Sequence, residues 1–360
     1  MKNGLFQILR ILTLFGIPSV LHADHPAFTL ETGSSGPITA LSAITLPGGK
    51  AAVSLQYQNV QNNELSDHRL EELGELGEAV HSTASITSYS LSTAYGFSGN
   101  FTMGFKLPYI LRANLRESVH EDEHDDEEGE SDHGIHEDGE GPVEHLGDIE
   151  GIGDLTLFGQ YRLFHNPERG RHGSIVFGLK VPSGESGIKV GEELLEVENQ
   201  PGSGSWDPFI GFVYTVSRGQ WSFDINAAYT FATKGDRMTN LGDALSYNAA
   251  FSYRLTGGGG KESENEQHDT HEHTHVDDPY RSSWDIIAEF NGEWRDRVSI
   301  DGHLETHSGG SLVYLSIGSR YQWGNRWSGI VSAGIPVVRG LNGIQSEPAY
   351  QLTTGFSHGF

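Results

Sequence analysis

The stretch from Asp207 to Thr233, DPFIGFVYTVSRGQWSFDINAAYTFAT, leaves this chain few folds to choose from. Pro208, Ile210, Phe212, Tyr214 and Val216 share one face of a first arm, and Trp221, Phe223, Ile225, Ala227, Tyr229 and Phe231 share one face of a second. The opposite face of the second arm carries Ser222, Asp224, Asn226, Ala228 and Thr230. A period of two is the signature of a strand, because successive Cβ atoms point to opposite sides of a pleated sheet. Ser217-Arg218-Gly219-Gln220 is a turn short enough to demand an antiparallel hairpin. Each arm runs about ten residues, the length a tilted strand needs to cross a bilayer. The aromatic face must meet either a packed core or lipid.

Whether the unit repeats decides between them, and it does. Val53 to Gln58, Ser88 to Phe97, Phe101 to Leu111, Leu155 to Leu163, Ser174 to Val181, Leu245 to Leu255, Trp284 to Trp294, Val313 to Trp323, Trp327 to Val337 and Tyr350 to Phe360 all alternate in the same way. With the hairpin the count is twelve, an even number that suits a closed barrel with both ends on one side; ten or fourteen would keep the class. Short connections (98–99, 165–171, 217–220, 324–325) alternate with mostly longer ones (61–81, 113–150, 183–206, 233–243, 296–310, 339–347). Short turns at one rim and long loops at the other are the outer-membrane pattern. Trp221, Trp284, Trp294, Trp323 and Trp327 fall near strand ends, as interfacial girdles do. A soluble sandwich would have to hide a dozen aromatic faces while filling the other face with Asp, Glu, Arg and Gln. The expected fold is therefore all-β, a transmembrane antiparallel up-and-down barrel in the bacterial outer membrane, in contact with its lipid.

Composition agrees once its charge is located. The chain has no cysteine, and a mean hydropathy of −0.40 excludes a bundle of membrane helices. Of the net charge of −26, residues 117–150 carry −16 and residues 261–278 carry −6, so the acidity belongs to two inserts and not to the fold. These sit within longer segments, 113–150 and 257–282, that the strand pattern leaves as loops. At the N-terminus, Lys2 and Arg10 lead into an apolar run, Ile11 to Leu21, followed by Ala23; residues 1–23 read as a secretory signal peptide. Residues 24–50 read as a lead-in or plug-like segment, and 51–360 as the barrel. The last strand ends on Phe360 with Phe356, Leu352 and Tyr350 on its face, which resembles the terminal signature by which outer-membrane barrels are recognised by the assembly machinery; His358 departs from it.

Several stretches carry a closer likeness. Gly36-Pro37-Ile38 with Thr45-Leu46-Pro47, Gly151-Ile152-Gly153-Asp154-Leu155, Leu179-Lys180-Val181-Pro182-Ser183-Gly184, Gln200-Pro201-Gly202-Ser203-Gly204-Ser205-Trp206-Asp207 and Leu341 to Glu347 resemble the transporter family labelled "MetA-pathway of phenol degradation". The resemblance runs from about residue 36 to the end, outside the two inserts. It implies an outer-membrane barrel that passes small molecules, aromatic ones among them, and brings no catalytic motif with it. Gly151 to Gly153 is only GxG and opens no βαβ unit, so neither a nucleotide cofactor nor nucleic acid is expected.

Two sets of residues could carry chemistry. By strand parity, Lys106, Arg162, Lys180, Asp224, Arg254, Asp285, Glu289, Glu293 and Arg320 face the lumen. Facing rows of carboxylates and cations would sort solutes by charge; alternatively they neutralise one another inside a filled barrel. The inserts supply His120, His124, His133, His136 and His145, then His268, His271, His273 and His275. Imidazoles among carboxylates suit weak capture of zinc, copper or nickel, or form a solvated anionic loop. No cofactor is required, and the expected function is a channel for small molecules. The alternatives are a structural or metal-binding barrel without a conducting pore and, third, a barrel hydrolase, for which His358 lacks an outward serine beside it.

Overall fold

A computed structural model of the chain describes residues 37–119, 143–256, 282–324 and 326–360. Twelve strands close on themselves: β1 (Ala51–Asn63), β2 (Ser85–Ser98), β3 (Phe101–Ser118), β4 (Leu155–Asn166), β5 (Arg171–Val181), β6 (Asp207–Arg218), β7 (Trp221–Thr230), β8 (Ala244–Thr256), β9 (Ser283–Arg295), β10 (Gly310–Trp323), β11 (Trp327–Leu341) and β12 (Glu347–Gly359). Each pairs antiparallel with the next, and β1 pairs with both β2 and β12, so the ring has no free edge. Lipid offers no partner to an unpaired N–H or C=O, and closure satisfies every ladder.

The wall is inside-out relative to a soluble protein. On β10, Ile317 is 66% exposed while its neighbour Ser316 is 3% exposed. On β7, Trp221, Phe223 and Ile225 point outward, and Ser222, Asp224 and Asn226 are buried. The period of two places the apolar set against hydrocarbon and the polar set in the lumen. Trp221, Trp284, Trp323 and Trp327 gather at the short-turn rim, where the Trp323 and Trp327 rings stack 6.4 Å apart. The hairpin turn there uses Gly219 at φ 62°, a left-handed conformation that costs glycine nothing. β8 ends and β9 begins at this same rim. His358 packs its ring on Trp327 at 3.9 Å and on Phe360 at 4.4 Å, keeping the terminal aromatic face continuous.

Two further strands extend the wall above the opposite rim. β3 pairs with β4 from Phe101 to Lys106, and then from Tyr109 with the strand Val143–Ile152. The exchange falls at Pro108, which has no N–H to give to a ladder. His81–Ser82 adds a short pairing at Arg116 and Glu117. Strand structure thus continues to Ser118 and resumes at Val143, inside the 113–150 segment that the alternation alone leaves as insert. The reason is that β3 outlasts the lipid-facing pattern, so its outer turn no longer needs an apolar face. The long loops fold over this rim. A helix, α1 (Asp67–Glu75), is capped by Ser66 and buries Leu70 and Leu73 against Val80. Loop residues Leu195, Ile188 and Val190 pack on Leu115 and Ile149.

A closed antiparallel barrel of this kind should give β-rich circular dichroism in detergent and run faster on gels unheated than boiled. A helix-dominated spectrum, or identical migration before and after boiling, would contradict the architecture.

Candidate functional site

Residues 37–47 cross the lumen. This segment enters beside the β2–β3 turn, where Gly49 and Gly96 exchange backbone bonds with Gly96 and Lys50, and crosses to the wall formed by β9 and β10. It joins no sheet. Instead, inward-facing side chains take its backbone groups one at a time. Leu46 N–H donates to Thr102 Oγ1 at 2.8 Å, Ala43 N–H to Thr215 Oγ1 at 2.8 Å, and Leu41 N–H to Asn226 Oδ1 at 2.8 Å. Ile38 N–H donates to Glu289 Oε1 at 2.6 Å and Thr39 N–H to Oε2 at 3.0 Å. Its carbonyls accept from Gln160 Nε2 (Ser42, 2.8 Å), Ser174 Oγ (Ala43, 2.6 Å) and the Arg320 guanidinium (Pro37). Buried backbone groups need partners, and a polar barrel interior supplies them without a ladder.

Packing completes the seal. Leu41, Ala43 and Leu46 form one buried cluster with Ala94, Phe158, Val176, Phe209 and Val213, contributed by β2, β4, β5 and β6. Burying Leu41 and Leu46 stabilises the seated segment by about 1.5–3 kcal/mol each. A Cβ at Gly318 would lie 2.4 Å from Ile38 Cδ1, so that glycine keeps the wall low where Ile38 rests.

Above the plug, toward the long loops, lies a cavity of about 330 Å³. Lys106, Lys180, Asp154, Asp207, Phe209 and Glu293 are among its lining. Three of the stretches singled out above meet here. Asp154, nearly fully buried, accepts from Gly184 N–H (2.9 Å), Ser203 N–H (2.9 Å) and Ser203 Oγ. Lys180 Nζ lies 2.7 Å from Asp207 Oδ2 and 3.8 Å from Asp154 Oδ2. Asp207 also accepts from Ser205 Oγ and Thr233 N–H. The knot ties the 183–206 loop to the lumen wall.

The nine charged residues that parity assigns to the lumen therefore fall into three groups. Glu289 and Arg320 hold the plug directly, and Asp224 does so through its bond from Thr215. Arg162 and Arg254 lie near the short-turn rim, the first on Asn100 Oδ1, the second bidentate on Asp285 at 2.8 and 3.2 Å. Lys106, Lys180 and Glu293 line the cavity, Glu293 with Arg295 at 3.1 Å. Asp285, Glu289 and Glu293 share a face of β9 yet reach three different levels. Residues outside those nine do as much: Thr102, Thr215 and Asn226 as acceptors, Asp154 and Asp207 around Lys180. Phe209 and Val213 were detectable as apolar residues interrupting the polar face of β6.

Of the insert histidines, His120, His124, His133, His136, His268, His271, His273 and His275 lie outside the described residues, as does the signal segment. His145 is exposed on the strand Val143–Ile152. Among the described residues, the group of ligand-type side chains close enough to share an ion is a different one: His81, Glu196 and Glu198, at the cavity's outer mouth.

Residues 124–286 match a family model described as "Putative MetA-pathway of phenol degradation". Among solved structures, the chain is similar to the COG4313 outer membrane channel from Pseudomonas putida F1, with 14% identity over 88% of this chain and 98% of that one and a TM-score of 0.54. The beta domain of the Bordetella autotransporter BrkA (10% identity, 88% and 100% covered, TM-score 0.40) and the TodX deltaS2S3 mutant monoaromatic hydrocarbon channel (7%, 88% and 91%, TM-score 0.40) also match. At such identities the likeness is one of fold. No curated protein matches the chain. The chain resembles this family and has the fold of a bacterial outer-membrane channel.

Glu289→Ala removes the acceptor of two plug N–H groups. It should cost the seated plug about 2 kcal/mol and raise its unseated population roughly 30-fold. Planar-bilayer recording should show more frequent large openings than in wild type, approaching those of a chain lacking residues 37–47. Unchanged openings in both variants would show that the segment does not limit the pore. Asp154→Ala should leave the barrel folded and speed amide exchange across Gly184 to Ser205, since the Gly184 and Ser203 N–H groups lose their acceptor at about 1–3 kcal/mol each while Lys180 keeps Asp207.

Proposed function

We propose, from the premise of an outer-membrane channel fold, that this protein passes small solutes between the medium and the periplasm, with residues 37–47 as the internal closure. One observation carries the reading: a cavity of about 330 Å³ on the long-loop side of a plug that side chains, rather than a sheet ladder, hold in place. A ladder would have to be broken as a whole, whereas contacts to separate side chains let go singly, so the segment can shift while the wall stays closed.

The cavity favours small amphipathic solutes. Phe209, Val60, Ile86 and Tyr314 give it apolar surface, and Lys106, Arg112 and Lys180 lie among them to meet a carboxylate or hydroxyl. That lining, together with the family description, supports small aromatic acids as a solute class. A channel role asks for no catalytic group, and we assign none. Phe360 and the aromatic face of β12 support delivery by the barrel-assembly machinery.

Liposomes carrying the protein should swell in small aromatic acids faster than in disaccharides, and faster still after residues 37–47 are removed. Impermeability both with and without the segment would leave a structural barrel. Where current flows, Glu293→Lys should shift ion selectivity toward anions by altering the field along the cavity, with little change in open probability. Reversal potentials in a salt gradient measure it.

A further inference from the structure

His81 stands at the mouth of the cavity, on the short strand that pairs with the outer end of β3. Three carboxylates from two elements surround it. Glu117 of β3 places Oε2 3.3 Å from His81 Nε2. Glu196 of the 183–206 loop places Oε2 3.5 Å from the same nitrogen, and Glu198 places Oε1 3.8 Å from Nδ1. Ligand atoms of His81, Glu196 and Glu198 all lie within 4.8 Å of one another. His81 Nε2 and Glu198 Oε2 are buried and have no hydrogen-bond partner. Buried ligand-type atoms that meet carboxylates at 3.3–3.8 Å without a formed hydrogen bond leave room for an ion between them.

We propose that His81, Glu196 and Glu198 form a binding site for a divalent transition-metal ion of the zinc class that fastens the 183–206 loop to the short strand beside the end of β3, with Glu117 next to the imidazole. Zinc bonds of about 2.0–2.1 Å in a tetrahedron put neighbouring donors ~3.4 Å apart, and His81 Nε2 and Glu196 Oε2, at 3.5 Å, already have that spacing. One imidazole among carboxylates suits zinc or manganese better than copper, which favours a tetragonal, nitrogen-richer set. Calcium is a poor fit, because it takes six to eight oxygens and no imidazole. Charge agrees: three carboxylates around one imidazole leave an excess that a dication neutralises. An incoming metal would displace any proton on the ligating imidazole nitrogen. The site is separate from the insert histidines and does not depend on them.

The test uses the full chain in detergent, with both inserts present in every variant so that their uptake is a common background. Zinc is titrated calorimetrically into wild type, His81→Gln and Glu196→Gln/Glu198→Gln, each first checked for heat-modifiable migration. Glu198→Gln alone, which preserves volume, stands in for any variant that fails to fold. Lys189 is exposed and is the one trypsin site of the 183–206 loop. Zinc should slow cleavage there by about tenfold in wild type, because a metal bound only to the closed loop removes open states. The proposal stands if the variants lose one zinc equivalent and also lose the protection. Equal stoichiometry in all chains, or protection that persists in the variants, overturns it and leaves a protonated His81 in an ion-pair cluster.

Discussion

A backbone N–H or C=O surrounded by hydrocarbon cannot borrow a partner from water, and everything else in this molecule follows from that rule. It forces the sheet to close between β1 and β12. Closure then creates an interior that no lipid reaches, and the strand period of two hands that interior the serines, threonines, asparagines and charges that could not sit outside. Those side chains become a second supply of hydrogen-bonding groups. Residues 37–47 draw on it: an extended segment whose N–H and C=O groups are met by Thr102, Thr215, Asn226, Glu289, Gln160, Ser174 and Arg320.

The wall could be read from the sequence because its cause is local and repeated. Alternation at Trp221 to Phe231 or Val313 to Trp323 follows from the pleat and lipid alone, needing no knowledge of which strand lies beside which. What the charged residues do could not be read in the same way. Parity tells that Glu289 points inward, but the pairing of Glu289 with Ile38 spans 251 positions and depends on a segment whose own pattern is weak. Asp154, Lys180 and Asp207 sit in three separate stretches, each noticeable as a motif, and become a charge knot only when β4, β5 and β6 are side by side. His81 carried no signal, standing alone in a loop; its carboxylate partners come from the far end of β3 and from another loop. The strand ends within 113–150 read as insert in the sequence because polar strand ends and loops look alike once the lipid-facing pattern ceases.

The mode of attachment also separates two kinds of stability. The barrel resists opening cooperatively, since any broken ladder exposes its neighbours. The plug is held by single bonds of about 0.5–1.5 kcal/mol, somewhat more where Glu289 or Arg320 takes part, and by a modest apolar cluster. A structure can thus be rigid in its wall and yielding in its bore.

The position of the plug in the chain has a consequence for assembly. Residues 37–47 precede β1, so they are synthesised before any strand. Yet their anchors lie on β3 to β7, β9 and β10, and the bore in which they rest exists only once β12 has met β1. The part of the barrel synthesised first is therefore the part seated last, after a search across nearly the whole length of the chain.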